Sequence, residues 1–348
     1  MNVSVLDQSP ISAGMTGAQA LHNSVDLARR ADALGYRRYW VAEHHGSPML
    51  AGASPEVLLA ALGAATRRIR IGSGGVMLPH YSPLKVAESF SILSGLYPGR
   101  VDLAVGRAPG TDPRTMLALQ RDRSRAMRDD FPEQLAELLG YVRGELPAAH
   151  PFARLPSVLP GRPETPAPWL LGSSPQSGLW AAELGLPYAF ADFISPTGAE
   201  IARRYRAEFV PSEFAESPYV IVCVWVVCAE TDEEAERLAA SGRMTLALLL
   251  RGELIPVPPV EEALAFLEAE REATSYGGLP QAHRPGRRRI VGTPDAVVRG
   301  VREVKREYEA DEVMLVTITY DHAARVKSYE LLAEAFALGA LGANHRDR

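Results

Sequence analysis

Arg38-Tyr-Trp-Val-Ala-Glu-His-His45 is the stretch that decides the fold. Arg38–Ala42 is short, rich in β-formers and nearly continuous in apolar character, which suits a strand buried on both faces of a parallel sheet. Glu43, His44 and His45 then fall where that strand should meet its following loop. The same ending recurs along the chain. Val3–Leu6, Ile69–Gly72, Val101–Val105, Trp169–Leu171, Tyr188–Ala191, Val220–Cys228 and Glu312–Val316 read as further strands, and several close on a Gly, Ser, Asp or Arg cluster. Helical patterns lie between them. Strands alternating with helices in this number imply an α/β fold of the (β/α)8 barrel type, in which the loops at the strand C-termini form the active face.

The helices are legible from their ends. Ala18–Leu34 places Leu21, Val25, Ala28, Ala31 and Leu34 at helical spacing and stops at Gly35. Ser54-Pro55, Ser82-Pro83, Ser174-Pro175, Ser195-Pro196 and Thr293-Pro294 each put a capping hydroxyl before a proline suited to the first helical position. Thr231-Asp-Glu-Glu234 reads as a capping box. A doubly wound open sheet is the alternative, but Asp7-Gln-Ser-Pro10, not a glycine-rich dinucleotide turn, follows the first strand. We expect one barrel domain over residues 1–348. Two insertions are expected, a proline-rich excursion at about 146–168 and a longer segment at about 251–289 that could form a lid.

Composition narrows the function classes. The net charge of −5 over 348 residues argues against nucleic acid or anionic membrane as the main partner. The N-terminus lacks the pattern of a signal peptide, and no apolar run approaches membrane-spanning length, so a cytoplasmic location is expected. Cys223 and Cys228 share one predicted strand, where extended geometry places them about 16 Å apart, too far for a disulfide. Their spacing is not a metal or redox motif, and they read as small core hydrophobes.

Taken in order, the strand ends present Asp7, Gln8 and Ser9; Glu43, His44 and His45; Ser73, Gly74 and Gly75; Gly106 and Arg107; and Gly172, Ser173 and Ser174. Gly172-Ser-Ser-Pro-Gln-Ser177 is the sharpest of these. A helix starting at Pro175 leaves free amides on Gln176 and Ser177 and adds the hydroxyls of Ser174 and Ser177 at the positive helix end, a site suited to phosphate. Arg107 could bring a forked cation to the same anion. Adjacent side chains on a strand point to opposite faces, so a metal site at Glu43-His44-His45 is a poor reading. One histidine should face the barrel mouth and the other the packing layer. For the first, proton transfer stands against a purely structural role.

Four segments together resemble the flavin-dependent luciferase-like monooxygenases. They are Ala42-Glu-His-His45, Ile71-Gly-Ser-Gly-Gly-Val-Met-Leu-Pro79 with Pro83-Leu-Lys-Val-Ala-Glu88, Val101-Asp-Leu-Ala-Val-Gly-Arg107, and Gly172–Ser177 with Trp180-Ala-Ala182. The resemblance implies a barrel that holds FMN, usually as FMNH2 delivered by a separate NAD(P)H-dependent reductase. Oxygen then adds at flavin C4a, and the resulting peroxide oxidises a small organic substrate. Arg107, Ser174 and Ser177, with Ser173 beside them, match the phosphate contacts. Asp7, Ser9, Ala42, Gly74 and Gly75 are expected to shape the ring site, and His44 matches the histidine needed for the oxygen chemistry. Gly74-Gly75 matches a cis peptide, and the helices near Pro55–Thr66 and Pro83–Leu96 match a homodimer interface. Gly106 stands where luciferase has a reactive cysteine, so light emission from a long-chain aldehyde is not expected. An F420-dependent oxidoreductase of the same superfamily is the alternative, its acidic tail suited to the basic stretch Arg284–Arg289. A non-catalytic flavin-binding protein is a further one.

Overall fold

The computed structural model describes residues 1–108, 110–120, 130–275 and 288–341. Ten strands are present among them: β1 (Asn2–Asp7), β2 (Arg38–Val41), β3 (Arg70–Ser73), β4 (Val76–Met77), β5 (Val101–Gly106), β6 (Ala167–Gly172), β7 (Tyr188–Ala191), β8 (Val220–Cys228), β9 (Arg289–Gly292) and β10 (Glu312–Val316). The helices are α1 (Gly17–Leu34), α2 (Pro55–Ala65), α3 (Pro83–Leu96), α4 (Pro113–Leu119), α5 (Phe131–Arg143), α6 (Pro175–Glu183), α7 (Ala199–Ala207), α8 (Asp232–Leu249), α9 (Val260–Ser275), α10 (Pro294–Glu307), α11 (His322–Ala335) and α12 (Leu338–Leu341).

Eight parallel strands close in the order β1-β2-β3-β5-β6-β7-β8-β10, with β10 returning to β1. This is the expected (β/α)8 barrel, and the expected strands are all present. Two short strands escaped the sequence reading. β4 adds a two-residue pairing above β3 on the flank of β5, and β9 pairs only with the upper half of β8, Trp225 to Cys228.

β8 shows why the strands read as unbroken apolar runs. Ile221, Cys223, Trp225 and Val227 belong to the barrel interior with Leu6, Trp40, Ala104 and Met314. Val220, Val222, Val224, Val226 and Cys228 belong to the layer between barrel and helices. The period-2 alternation persists, but both faces are dry. It also places the two cysteines on opposite faces, and both are buried free thiols.

The outer helices bury one face each. α10 buries Val297, Val298, Val301 and Val304 at helical spacing. α1 ends at Gly35 with φ of 88°, the left-handed geometry that glycine adopts without steric cost. Its buried face differs from the expected one. Ala20, Ser24, Leu27, Ala28 and Ala31 are buried, and Leu21, Val25 and Leu34 flank them. Small side chains and a hydroxyl face the barrel because Ser24 donates to Ser9 at 2.9 Å.

Caps divide similarly. Ser174 accepts from the Ser177 amide as expected, whereas the box expected at Thr231–Glu234 forms only one arm, Thr231 accepting from the Glu234 amide. Ser54, Ser82 and Thr293 precede helices but make no side-chain cap. Ser195-Pro196 starts no helix. It lies in a turn, and α7 begins at Ala199 with Gly198 as its cap. The reciprocal capping box is at Thr16 and Gln19, a pair worth about 1 kcal/mol to α1. The 146–168 excursion is irregular, with one 3-10 turn at Pro156–Val158, and the 251–289 segment contains α9.

Candidate active site

Two cavities open at the C-terminal end of the barrel. The lower one, of about 330 Å³, sinks between the strand ends and is walled by Leu6, Trp40, Ala42, Gly74, Leu171 and Met314. Its outer side reaches Arg107, Ser173, Ser174, Ser177 and Trp180. The upper one, of about 470 Å³, lies under α8 and the segment after it. Gln8, His44 and Phe193 line both, so the cavities meet at these three side chains.

The anion-suited end is built as the strand endings suggested. β6 stops at Gly172, and α6 begins at Pro175, whose ring leaves the first amide position without a donor to satisfy. Ser177 is buried, donating its hydroxyl to the Ser174 carbonyl at 2.8 Å and lying 2.9 Å from the Tyr188 hydroxyl. Ser174 is exposed at the helix end. Arg107, one residue beyond β5, holds its guanidinium 5.7 Å from the centre of the Trp180 ring. A planar cation, two hydroxyls and a positive helix end thus converge on one rim.

The opposite wall is made by backbone. The Gly74-Gly75 peptide is cis, as the matched segment implied. A Cβ on Gly74 would lie 2.5 Å from Leu6 and 3.2 Å from Trp40, and one on Gly75 would lie 2.7 Å from the Ala104 carbonyl. A side chain on Gly75 would therefore force this segment off β5, and one on Gly74 would push Leu6 aside. Gly74 faces the cavity, whereas Gly75 abuts β5.

Glu43, His44 and His45 have three different situations. The buried Glu43 carboxylate accepts from the Met77 amide at 3.0 Å and the Tyr81 hydroxyl at 2.8 Å, and lies 2.7 Å from His45 Nε2. It ties the end of β2 to β4. His45 lines the upper cavity with its ring edge-on to His80. His44 faces the junction of both cavities. Its Nδ1 is buried without a hydrogen-bond partner among the described residues. Burial, helped by the neighbouring His45, pushes its pKa down to about 4, so the ring is neutral at neutral pH. A neutral imidazole with an unused nitrogen can donate or accept one hydrogen bond to whatever enters the junction.

The structure places Asp7 and Ser9 elsewhere. Asp7 points into the layer behind β1, where it accepts from Arg325 and Tyr39, both at 2.6 Å, and from the Ser9 amide at 2.7 Å. Burial opposes its charge, but Arg325, Ser24 and Tyr39 outweigh burial and hold the carboxyl below its usual range. Neither residue lines either of these two cavities. Gln8, between them, does, and its carboxamide makes no hydrogen bond among the described residues. Alternation along β8 brings Cys223 and Trp225 to the cavity walls, and the turn after β7 brings Phe193. The sequence does not single them out because each looks like core; strand parity could have found Cys223 and Trp225, and nothing local marks Phe193. Of the basic stretch, Arg288 and Arg289 line the upper cavity, and Arg284–Arg287 lie outside the described residues.

A family model described as luciferase-like monooxygenase matches residues 1–311. The chain is 41% identical to a luciferase-like monooxygenase of Escherichia coli K12, covering 94% of this chain and 95% of that one. It is 38% identical to an N-acetyl-S-alkylcysteine monooxygenase of Bacillus subtilis, covering 96% and 98%. The crystal structure of apo-MsnO8 superposes with a TM-score of 0.86 at 42% identity, covering 97% and 98%. The chain belongs to the luciferase-like monooxygenase family of flavin-dependent oxidoreductases.

Proposed function

We propose that the protein uses FMN, received in reduced form from a separate NAD(P)H-dependent reductase, together with O2, to oxidise a small organic substrate. The observation that carries this reading is the lower cavity, with an anion-suited rim at one end and an unpartnered His44 Nδ1 at the other. Arg107, Ser173, Ser174 and the first amides of α6 would hold the phosphate. Ala42, Leu6 and the side-chain-free Gly74 would lie against the ring. Reduced flavin supplies the electrons that activate O2, one oxygen atom entering the substrate and the other leaving as water. His44 stays neutral and offers a hydrogen bond at the junction, and the apolar walls of the upper cavity position the substrate beside it.

One observation favours the F420 reading: Arg288 and Arg289 on the upper cavity could meet an acidic tail. The hydroxyls, helix end and Arg107 clustered on the lower cavity favour FMN. Retention of His44 weighs against a non-catalytic flavin-binding protein.

The same reading takes the chain as one cytoplasmic barrel domain that forms a homodimer. Val57, Ala61 and Ala64 on α2 and Ile92 and Leu96 on α3 leave an exposed apolar stripe that a second copy would cover. Sedimentation giving only monomer at micromolar concentration would contradict the dimer.

The full chain titrated with FMN, riboflavin and F420 tests the cofactor. FMN should bind tightest, and equal FMN and riboflavin affinities would sink the phosphate assignment. Mixing the chain with reduced FMN, O2 and a metabolite pool should give an oxygen-dependent mass gain, and His44→Gln should lose it while retaining FMN.

A further inference from the structure

The upper cavity is apolar over most of its wall. Met49, Leu50, Phe193, Leu246, Leu249 and Ile318 line it. Trp225 lies against α8 at Gly242, where a Cβ would come within 2.5 Å of the indole. The charged side chains that line this wall are Arg288 and Arg289 against Asp112. The Asp112 carboxylate is already committed to capping α4, accepting from the amides of Arg114 at 2.8 Å and Thr115 at 3.2 Å. Two guanidinium groups against one carboxylate that is already hydrogen-bonded leave a net positive charge on a wall that is mostly apolar.

Arg288 is held from behind. Its Nη1 donates to Glu307 at 2.6 Å, and its Nε lies 3.4 Å from Oδ2 of the fully buried Asp192. Asp192 is itself fixed by the Tyr308 hydroxyl at 2.8 Å. Two carboxylates on one flank hold the guanidinium in place without using Nη2, for which no partner is present among the described residues. Arg289 reaches the same cavity with its guanidinium 5.8 Å from the Trp225 ring centre. A cation held in this way loses little side-chain freedom on binding an anion, and a guanidinium matches a carboxylate in shape.

We propose that the upper cavity selects substrates with an apolar body and a terminal carboxylate, the carboxylate bound at Arg288 with Arg289 beside it. This rests on reading that cavity as the substrate's. The apolar body then runs along Trp225 and Leu246 toward the Gln8–His44–Phe193 junction. The carbon or heteroatom to be oxidised lies at the end of the molecule away from the carboxylate.

Calorimetric titration of the full chain with octanoate, octanamide and octan-1-ol tests this without turnover. Octanoate should bind at least about tenfold tighter than the two neutral probes, the scale of one charge-assisted contact. Arg288→Gln should bring octanoate to within about twofold of octanamide, and Arg288→Lys should restore part of the preference. Removing Arg288 exposes Asp192 to an unpaired burial, so Arg289→Gln serves as a second variant and should narrow the preference without disturbing that pair. Equal affinities in the parent protein would overturn the proposal, as would a preference unchanged in both glutamine variants. An FMN titration of the same samples separates the two readings. FMN binding without octanoate preference removes only the carboxylate, whereas octanoate preference without FMN binding removes only the flavin.

Discussion

The two ends of the barrel use polar residues in opposite ways. At the N-terminal end, Arg38 donates to Asp102 at 2.7 Å and to Glu312 at 3.1 Å. Arg70 meets the other Asp102 oxygen at 2.6 Å, Trp40 donates to the first at 3.0 Å, and Tyr219 and Ser4 complete Glu312. Every carboxylate oxygen has a partner, and Arg38 lies 4.7 Å from the Trp169 ring centre. At the C-terminal end, His44 Nδ1 and the Gln8 carboxamide are left unused and glycine takes the place of side chains. A closed set of partners makes a plug, and an open set leaves valence for a ligand. Buried charge alone is therefore no guide to where a ligand binds in this protein; a polar atom left open on a cavity wall is the better one.

The largest effect should come from breaking the plug. Arg38→Met leaves Asp102 and Glu312 buried without their central cation and should cost about 3–5 kcal/mol of stability. Urea denaturation would measure it, and a loss below about 1 kcal/mol would show that the lower end is as tolerant as the upper.

At the open end, Arg107→Ala should leave stability nearly unchanged while weakening FMN by about 2–3 kcal/mol, roughly 30- to 150-fold. Riboflavin should bind poorly to the parent and respond little to the change. A fluorescence titration decides this, and equal losses for both ligands would move the phosphate away from Arg107.

Acid should reach the two ends in sequence. The folded pKa of His44 is lowered from 6.5 to about 4, so between these values the unfolded chain binds the extra proton. The stability this contributes is fully present above pH 6.5 and is lost as pH falls toward 4. Burial opposes the charge of Asp102, but Arg38 and Arg70 more than offset it and lower its pKa from 3.8, so its contribution holds above that value and is lost only below it. His44→Gln should therefore flatten the loss between pH 6.5 and 4 and leave the more acidic limb intact. Parallel profiles for parent and variant would refute the assignment.

The smallest effect is expected between the ends. Trp169 stacks edge-on with Trp40, but its indole nitrogen is buried without a partner among the described residues. Trp169→Phe keeps a ring near Arg38 and removes an unsatisfied donor, so stability should change by less than about 1 kcal/mol. A larger loss in thermal or urea unfolding would mean that the indole itself completes the plug.

The barrel was legible because strands buried on both faces are largely apolar, apart from the few charged residues at their N-terminal ends, and eight such runs stand out from amphipathic helices. β4 was not, because two residues carry no period. β9 was not either, because it follows a basic stretch and pairs only with the top of β8. The rim at Gly172–Ser177 was legible because a helix start is local chemistry. Asp7 and Ser9 were placed at the site by strand-end position alone, yet Arg325, distant in sequence, holds Asp7 facing the helices.

By itself the sequence determined which segments become strands, where α1 and α6 begin, and which residues arrive at the barrel mouth. These follow from periodicity, capping and glycine, all of which act within a few residues. Tertiary structure alone decided which of the arriving groups stay open. Arg325 and Tyr39 take up Asp7, Met77 and Tyr81 take up Glu43, and nothing among the described residues takes up His44 Nδ1. Whether a polar atom finds a partner depends on side chains brought together from distant parts of the chain, and local sequence does not contain that information.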